Sequence, residues 1–251
     1  MIQTFKTHLT AKKQLTDSVW IFTFILDEPK NVIFIAGQYM ILKIGETGSR
    51  NYSIASPNHQ TNSFDLVVQI IPNGFASTYL MQLTETDVVR FQGPAGVFTL
   101  KTDIERDKIF LATGTGIAPI KSMIESYAHG RKRSDHYFYI LWGLRTKNDL
   151  YFAEYFAELS RQFPYITYKI CFSREENLSS FDSESFGKGR INGHFMELLG
   201  ITGENSTTTT SNQIVHAFDY YICGGRDVVE SLRQFVHGLG VEKTHIFFEK
   251  F

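Results

Sequence analysis

The stretch Ile109–Met123, IFLATGTGIAPIKSM, decides how this chain is read. An apolar run, Ile109–Ala112, leads into two glycines, a proline and a segment with helical spacing. That is the sequence form of a buried parallel strand, a tight turn and a helix start. Such a turn exposes backbone N–H groups at a helix N-terminus, where the macrodipole favours an anion such as a pyrophosphate. The dinucleotide fingerprint would place a third glycine three positions after the second, and GTGIAP carries Pro119 there. Taken alone, the segment fits a nucleotide turn and an ordinary α/β junction equally well.

The surroundings narrow the choice. A length of 251 residues suggests two domains of ordinary size, and 43% hydrophobic residues are enough for substantial cores. The 22 Phe and 12 Tyr are read first as core material. A formal net charge of −1 gives no electrostatic case for nucleic acid or an anionic membrane. Cys171 and Cys223 lie far apart and form no CxxC, so neither a zinc site nor a cysteine-ligated cluster is expected, and no metal is assigned. Two unclustered cysteines fit a reducing compartment. The polar N-terminus, MIQTFKTHLTAKKQLTD, has no signal-like apolar region, and no run is long enough to span a bilayer. The chain therefore reads as soluble and cytoplasmic.

Two halves differ in periodicity. SVWIFTFIL, GQYMILKI, SFDLVVQII and DVVRFQGPAGVFTL read as β-strands punctuated by Gly, Pro and Asn, as in an antiparallel barrel or sandwich. One helix, FASTYLMQL, places Ala76, Leu80 and Leu83 on one face. After Leu100, apolar runs at 109–112, 137–142, 167–172, 220–223 and 245–248 alternate with amphipathic stretches, which implies βαβ units and a five-stranded, doubly wound parallel sheet. The charged turn KTDIERDK sets the boundary, giving domains 1–101 and 102–251. GENSTTTTSNQ at 203–213 reads as a polar loop. A doubly wound sheet binds its ligand outside the carboxyl ends of its strands. The five strands here run into ATGTG, WGLR, CFSRE, CGG and FFEKF.

RNYSIAS at 50–56, GPAGVF at 93–98, ATGTGIAP at 112–119, YICGG at 221–225 and the terminal FFEKF occur in a family's order. The chain resembles the ferredoxin–NADP reductase superfamily, and the resemblance runs over nearly its whole length. It implies an N-terminal Greek-key β-barrel that binds FAD, followed by an NAD(P)-binding α/β domain. On the matching positions, Arg50 pairs with the flavin pyrophosphate through its bidentate fork. Tyr52 lies against the isoalloxazine ring, and Ser53 hydrogen-bonds near the hydride-accepting nitrogen. Gly74, Ala76 and Ser77 belong to the glycine–helix segment that holds the same pyrophosphate. Thr113, Gly114, Thr115, Gly116 and Pro119 cradle the pyridine-nucleotide pyrophosphate, with Cys223 and Gly224 beside the nicotinamide. Glu249 and Phe251 match the terminal acid and aromatic, the aromatic covering the flavin face that the nicotinamide must reach. Ser53, Cys223, Glu249 and Phe251 are therefore the expected catalytic set.

Ser173 and Arg174 match the family's pair at the adenosine 2′-phosphate, which favours NADPH over NADH. Lys188 and Arg190 are candidates to assist, while Glu175 and Glu176 count against it. The activity implied is hydride transfer from NAD(P)H to bound FAD, with electrons passed to a separate ferredoxin or flavodoxin. The alternatives are a flavin reductase, an oxygenase reductase component, or a non-catalytic cofactor-binding subunit of a redox complex. The last of these would be expected to carry further cysteines.

Overall fold

The computed structural model describes residues 2–101, 106–198 and 215–251. They form two compact units. The boundary expected near Thr102 and the polar stretch 203–213 both lie outside the described residues.

The first unit is an antiparallel sheet of β1 (Gln3–Gln14), β2 (Val19–Glu28), β3 (Tyr39–Ile44), β4 (Gly48–Ser53), β5 (Ser63–Gln69) and β6 (Val88–Ala95). The strand order is β4-β3-β6-β1-β2-β5. An antiparallel bridge between Ile54 and Leu66 joins the two edges, so the sheet curls back on itself as a half-barrel. The expected Greek-key barrel is this sheet. β1 corrects the sequence reading, which treated residues 1–17 as a polar terminus. Phe5, Thr7 and Leu9 alternate inward along this strand, and it pairs on both sides, with β2 and β6. Lys6 and His8 between them, with Thr4 and Thr10 on either side, lie on the other face and mask the pattern in any average over the segment.

The aromatic load is core, as expected. Phe5, Phe22, Phe24, Phe64 and Phe91 are fully buried. Phe91 meets Phe24 edge-on with centroids 4.9 Å apart, and meets Phe64 at 5.1 Å. Burial contributes ~2–3 kcal/mol per ring and the ring pairing about 1 kcal/mol more, so burial dominates. Helix α1 (Phe75–Gln82) lies between β5 and β6 and buries Ala76, Ser77 and Leu80. Helix α2 (Ile117–Ala128) from Ala118 onward, with His129 after it, also groups with this unit. Ser122 Oγ donates to the Ser56 carbonyl at 2.7 Å, and the rings of His59 and His129 stack at 3.7 Å.

The second unit is a parallel sheet of β7 (Asp107–Thr113), β8 (Phe138–Leu144), β9 (Ile166–Phe172), β10 (Phe186–Lys188), β11 (Phe218–Gly224) and β12 (Ile246–Lys250), with α3 (Ala153–Gln162), α4 (Phe195–Leu198) and α5 (Arg226–Gly238). Its order is β10-β9-β8-β7-β11-β12. Six strands therefore replace the five expected. The added one, β10, is three residues long, too short for periodicity to register. From β7 the chain adds strands first on one side (β8, β9, β10) and then on the other (β11, β12). The crevice between the carboxyl ends of β7 and β11 is thus the topological switch point. Phe110, Phe138, Tyr221 and Phe247 stack across four neighbouring strands, with centroids 5.0–5.8 Å apart. Ile109, Leu111, Tyr220 and Ile222 are buried on the opposite face, where Val229, Leu232 and Val236 of α5 join the same core.

Candidate functional site

In the first unit, β4 and α1 carry the expected flavin residues. In the β4–β3 pairing, Arg50 lies opposite Leu42, Tyr52 opposite Met40 and Ser53 opposite Tyr39. Arg50 and Tyr52 thus share one face of β4, and Ser53, its last residue, takes the other. Arg50 is exposed, with Nη1 donating to the Ser49 carbonyl at 2.8 Å. Tyr52 packs against the barrel core, and burial pushes its hydroxyl pKa up against the opposing effect of the Arg50 charge.

The start of α1 comes to the same strand. A Cβ on Gly48 would lie 2.5 Å from the Phe75 ring, so the first residue of α1 covers the first residue of β4. Gly74 is the N-cap, with no side-chain cap and no acidic residue in the first turn. The backbone N–H groups of Phe75, Ala76 and Ser77 are those a helix cannot satisfy internally. Ser77 itself is buried, and its Oγ accepts the Ile71 N–H at 2.9 Å, which closes the turn before the helix. A guanidinium fork beside an uncapped helix N-terminus is a donor set that fits a diphosphate. The residues present therefore fit FAD.

In the second unit, two separate sequence motifs interlock at the switch point. A Cβ on Gly116 would fall 2.3 Å from the Cys223 carbonyl oxygen and 2.8 Å from the Gly224 nitrogen. One on Gly224 (φ +156°) would fall 2.2 Å from Thr113 Oγ1. Thr113 caps β7, and Gly114–Gly116 form a 3-10 turn that leads into α2, with Pro119 in its first turn, where a missing N–H costs nothing. β12 lies beside β11 with Glu249 opposite Cys223 and Lys250 opposite Gly224, and the Phe251 N–H reaches the Gly224 carbonyl at 3.3 Å. Cys223 is fully buried; burial and then the Glu249 charge hold its thiol pKa well above the ordinary value, so it stays a neutral thiol. Phe251 is exposed, whereas Phe248 carries the Arg233 guanidinium 3.6 Å over its ring. The fold thus brings Thr113, Gly116, Cys223, Gly224, Glu249 and Phe251 together.

Ser173 and Arg174 follow β9, and both are exposed. β10 ends at Lys188, opposite Phe172 at the end of β9, so Arg174 and Arg190 each follow the carboxyl end of one of two neighbouring strands. Glu175 is turned aside, its Oε2 accepting the Lys147 N–H at 3.2 Å. Sequence reasoning missed Trp142 and Tyr151, which both donate to the Gly114 carbonyl, at 2.9 and 3.0 Å. Nothing in an apolar strand ending in Trp signals that its indole turns toward the glycine loop. Among the described residues no cluster of His, Cys, Asp and Glu could hold a metal ion, and no helix is long and apolar enough to cross a membrane.

Two family models match the chain, an oxidoreductase FAD-binding domain over residues 6–100 and an oxidoreductase NAD-binding domain over residues 110–234. Together with the two sheets they define an FAD- and NAD-binding oxidoreductase. Ferredoxin–NADP reductase B of Sorangium cellulosum is 31% identical over 98% of this chain and 97% of its own length. Reductase component 1 of terephthalate 1,2-dioxygenase from Comamonas is 28% identical over 84% of the chain and 57% of its own length. Among solved structures, a ferredoxin–NADP+ reductase from Neisseria gonorrhoeae with bound FAD and NADP shares the fold, with a TM-score of 0.78, 20% identity and coverage of 99% of this chain and 98% of its own. The chain belongs to the ferredoxin–NADP reductase superfamily. It is an FAD-dependent NAD(P)H oxidoreductase.

Proposed function

We propose that the protein oxidises NADPH and delivers the electrons to a separate ferredoxin or flavodoxin, with residues 1–101 holding FAD and residues 102–251 the nucleotide. FAD, when bound, takes up a hydride and can release electrons singly, which suits a one-electron carrier. The residues' own work is binding and orientation. Arg50 and the N-terminal N–H groups of α1 hold the flavin diphosphate, Tyr52 supports the ring, and Ser53 offers a hydroxyl at the end of β4. Thr113–Pro119 holds the nucleotide diphosphate. Gly224 leaves room for the nicotinamide, and the neutral Cys223 thiol and Glu249 carboxylate border it. Phe251, exposed and held to the Gly224 carbonyl through its N–H, is the ring that gives way to the nicotinamide.

The observation that carries the reading is the interlock of Gly116 with Cys223 at the switch point, which joins the two nucleotide motifs into one site. NADPH over NADH is supported by Arg174, Lys188 and Arg190 standing at or just after the carboxyl ends of the paired strands β9 and β10, with Glu175 turned aside. A carrier-protein acceptor is supported by the relative that matches end to end, a ferredoxin–NADP reductase by name. The second reading, an oxygenase reductase component, is favoured by the terephthalate dioxygenase relative, of which the chain spans 57%. Purified protein should carry FAD and, with NADPH, reduce ferredoxin or flavodoxin faster than free FMN. Faster turnover with free FMN than with either carrier overturns the first reading.

A further inference from the structure

Gly114 has φ +53°, and a Cβ on it would meet nothing within 4 Å, so crowding does not hold the turn in place. A flip of the Gly114–Thr115 peptide turns ψ of Gly114 and φ of Thr115, and glycine, with no Cβ, restricts that ψ little. In a trans peptide the C=O and the following N–H point in opposite directions. The direction of the Gly114 carbonyl therefore decides whether Thr115 offers a donor or Gly114 an acceptor to whatever sits at the turn.

Two buried side chains fix that direction. Trp142 Nε1 and Tyr151 Oη both donate to the Gly114 oxygen, at 2.9 and 3.0 Å, and their rings meet edge-on at 4.7 Å. Trp142 is fully buried and Tyr151 nearly so. Indole has no acceptor, and burial holds the Tyr151 hydroxyl protonated, so both act as donors. The backbone around Tyr151 carries strain to keep it there: Phe152, the next residue, is left-handed at φ +58°, a conformation disfavoured for a bulky side chain.

We propose that Trp142 and Tyr151 are positioning residues that draw the Gly114 carbonyl into the unit and so aim the Thr115 N–H at the pyrophosphate of the nicotinamide dinucleotide. The proposal rests on the reading of Thr113–Pro119 as the pyrophosphate turn. A flipped peptide would present an oxygen to a dianion, losing one hydrogen bond and adding a repulsion.

The test uses FAD-loaded, ¹⁵N-labelled protein with NADP+ and NAD+ as probes. In wild type, the Thr115 and Gly116 amide resonances should move on nucleotide binding. Tyr151→Phe keeps the ring and should weaken binding about fivefold, and adding Trp142→Phe should bring the loss to about thirtyfold, at one buried hydrogen bond each. KM should rise by a larger factor than kcat falls, the Thr115 amide shift should shrink, and FAD content should stay at the wild-type level. If the wild-type amides stay still while nucleotide binds, the pyrophosphate reading itself fails. If they move but Tyr151→Phe binds within twofold of wild type with the same Thr115 shift, the clamp fails and that reading stands.

Discussion

Gly116 and Cys223, more than a hundred positions apart in sequence, touch through their backbones. A Cβ on Gly116 would sit 2.3 Å from the Cys223 carbonyl oxygen, closer than any real contact. The obstacle is main chain at both ends, so no side chain can swing away to relieve it. Gly116→Ala should therefore destabilise the second unit by about 2 kcal/mol or more and weaken nucleotide binding at least tenfold, as over-packing of a rigid site does. Urea unfolding followed by tryptophan fluorescence, with nucleotide titration of the folded variant, checks it. Wild-type stability together with wild-type affinity would contradict the interlock.

Nucleotide choice has a direct variant. Arg174→Ala should lower kcat/KM for NADPH about tenfold or more, the loss expected for a charge-assisted phosphate contact, and leave NADH nearly unchanged. Steady-state comparison of the two donors reads it. Equal small effects on both would remove Arg174 from the 2′-phosphate.

The two thiols should be inert in the folded protein. Both are fully buried, and burial pushes Cys171 from 9.0 up to about 12 and Cys223 well above 9.0. At about pH 8, where a free thiol is partly ionised, native protein should resist iodoacetamide and unfolded protein should react at both sites. The raised values also set a sign. Well below pH 9.0 both states hold neutral thiols and the full stability is present. As the pH rises from there toward 12, only the unfolded thiols ionise and stability falls. Urea midpoints measured across that alkaline range should decline less in Cys171→Ala than in wild type; identical slopes would contradict it.

An acidic limb has the opposite sign. Hydrogen bonds from His194 and then Lys169 hold the Glu197 carboxyl below its ordinary 4.5, and Lys169 is almost wholly buried. The stability this adds is present above pH 4.5 and is lost as the pH falls through the lowered folded value. Glu197 is half exposed, so solvent screening keeps the effect small. Glu197→Gln should flatten the acid side of a stability–pH curve; an unchanged curve would show that the pair contributes nothing.

Much of this was legible in the sequence because the chemistry is local. A strand ending in ATGTG and another ending in CGG each announce themselves, and a parallel sheet brings strand ends to one edge. The Ala76 and Leu80 face of α1 follows from helical spacing alone. What could not be read depended on distant partners. β10 exists because Phe186–Lys188 pairs with β9, not because three residues have a pattern. β1 hides its inward Phe5, Thr7 and Leu9 among lysines and threonines. The Ser77 hydroxyl also accepts the Ile71 N–H, a turn contact that helical spacing does not announce. Trp142 and Tyr151 reach Gly114 from 28 and 37 positions away, a convergence that only the folded sheet creates.

Hydride delivery to the flavin, as proposed, calls on the Ser53 hydroxyl on the FAD side and on the Cys223 thiol on the nucleotide side. Anaerobic stopped-flow mixing with NADPH, following the flavin absorbance, tests it most directly. Ser53→Ala and Cys223→Ala should each retain full FAD content yet reduce about a hundredfold more slowly than wild type, a barrier increase of about 2.7 kcal/mol. Flavin reduction within twofold of wild type in both variants would contradict it.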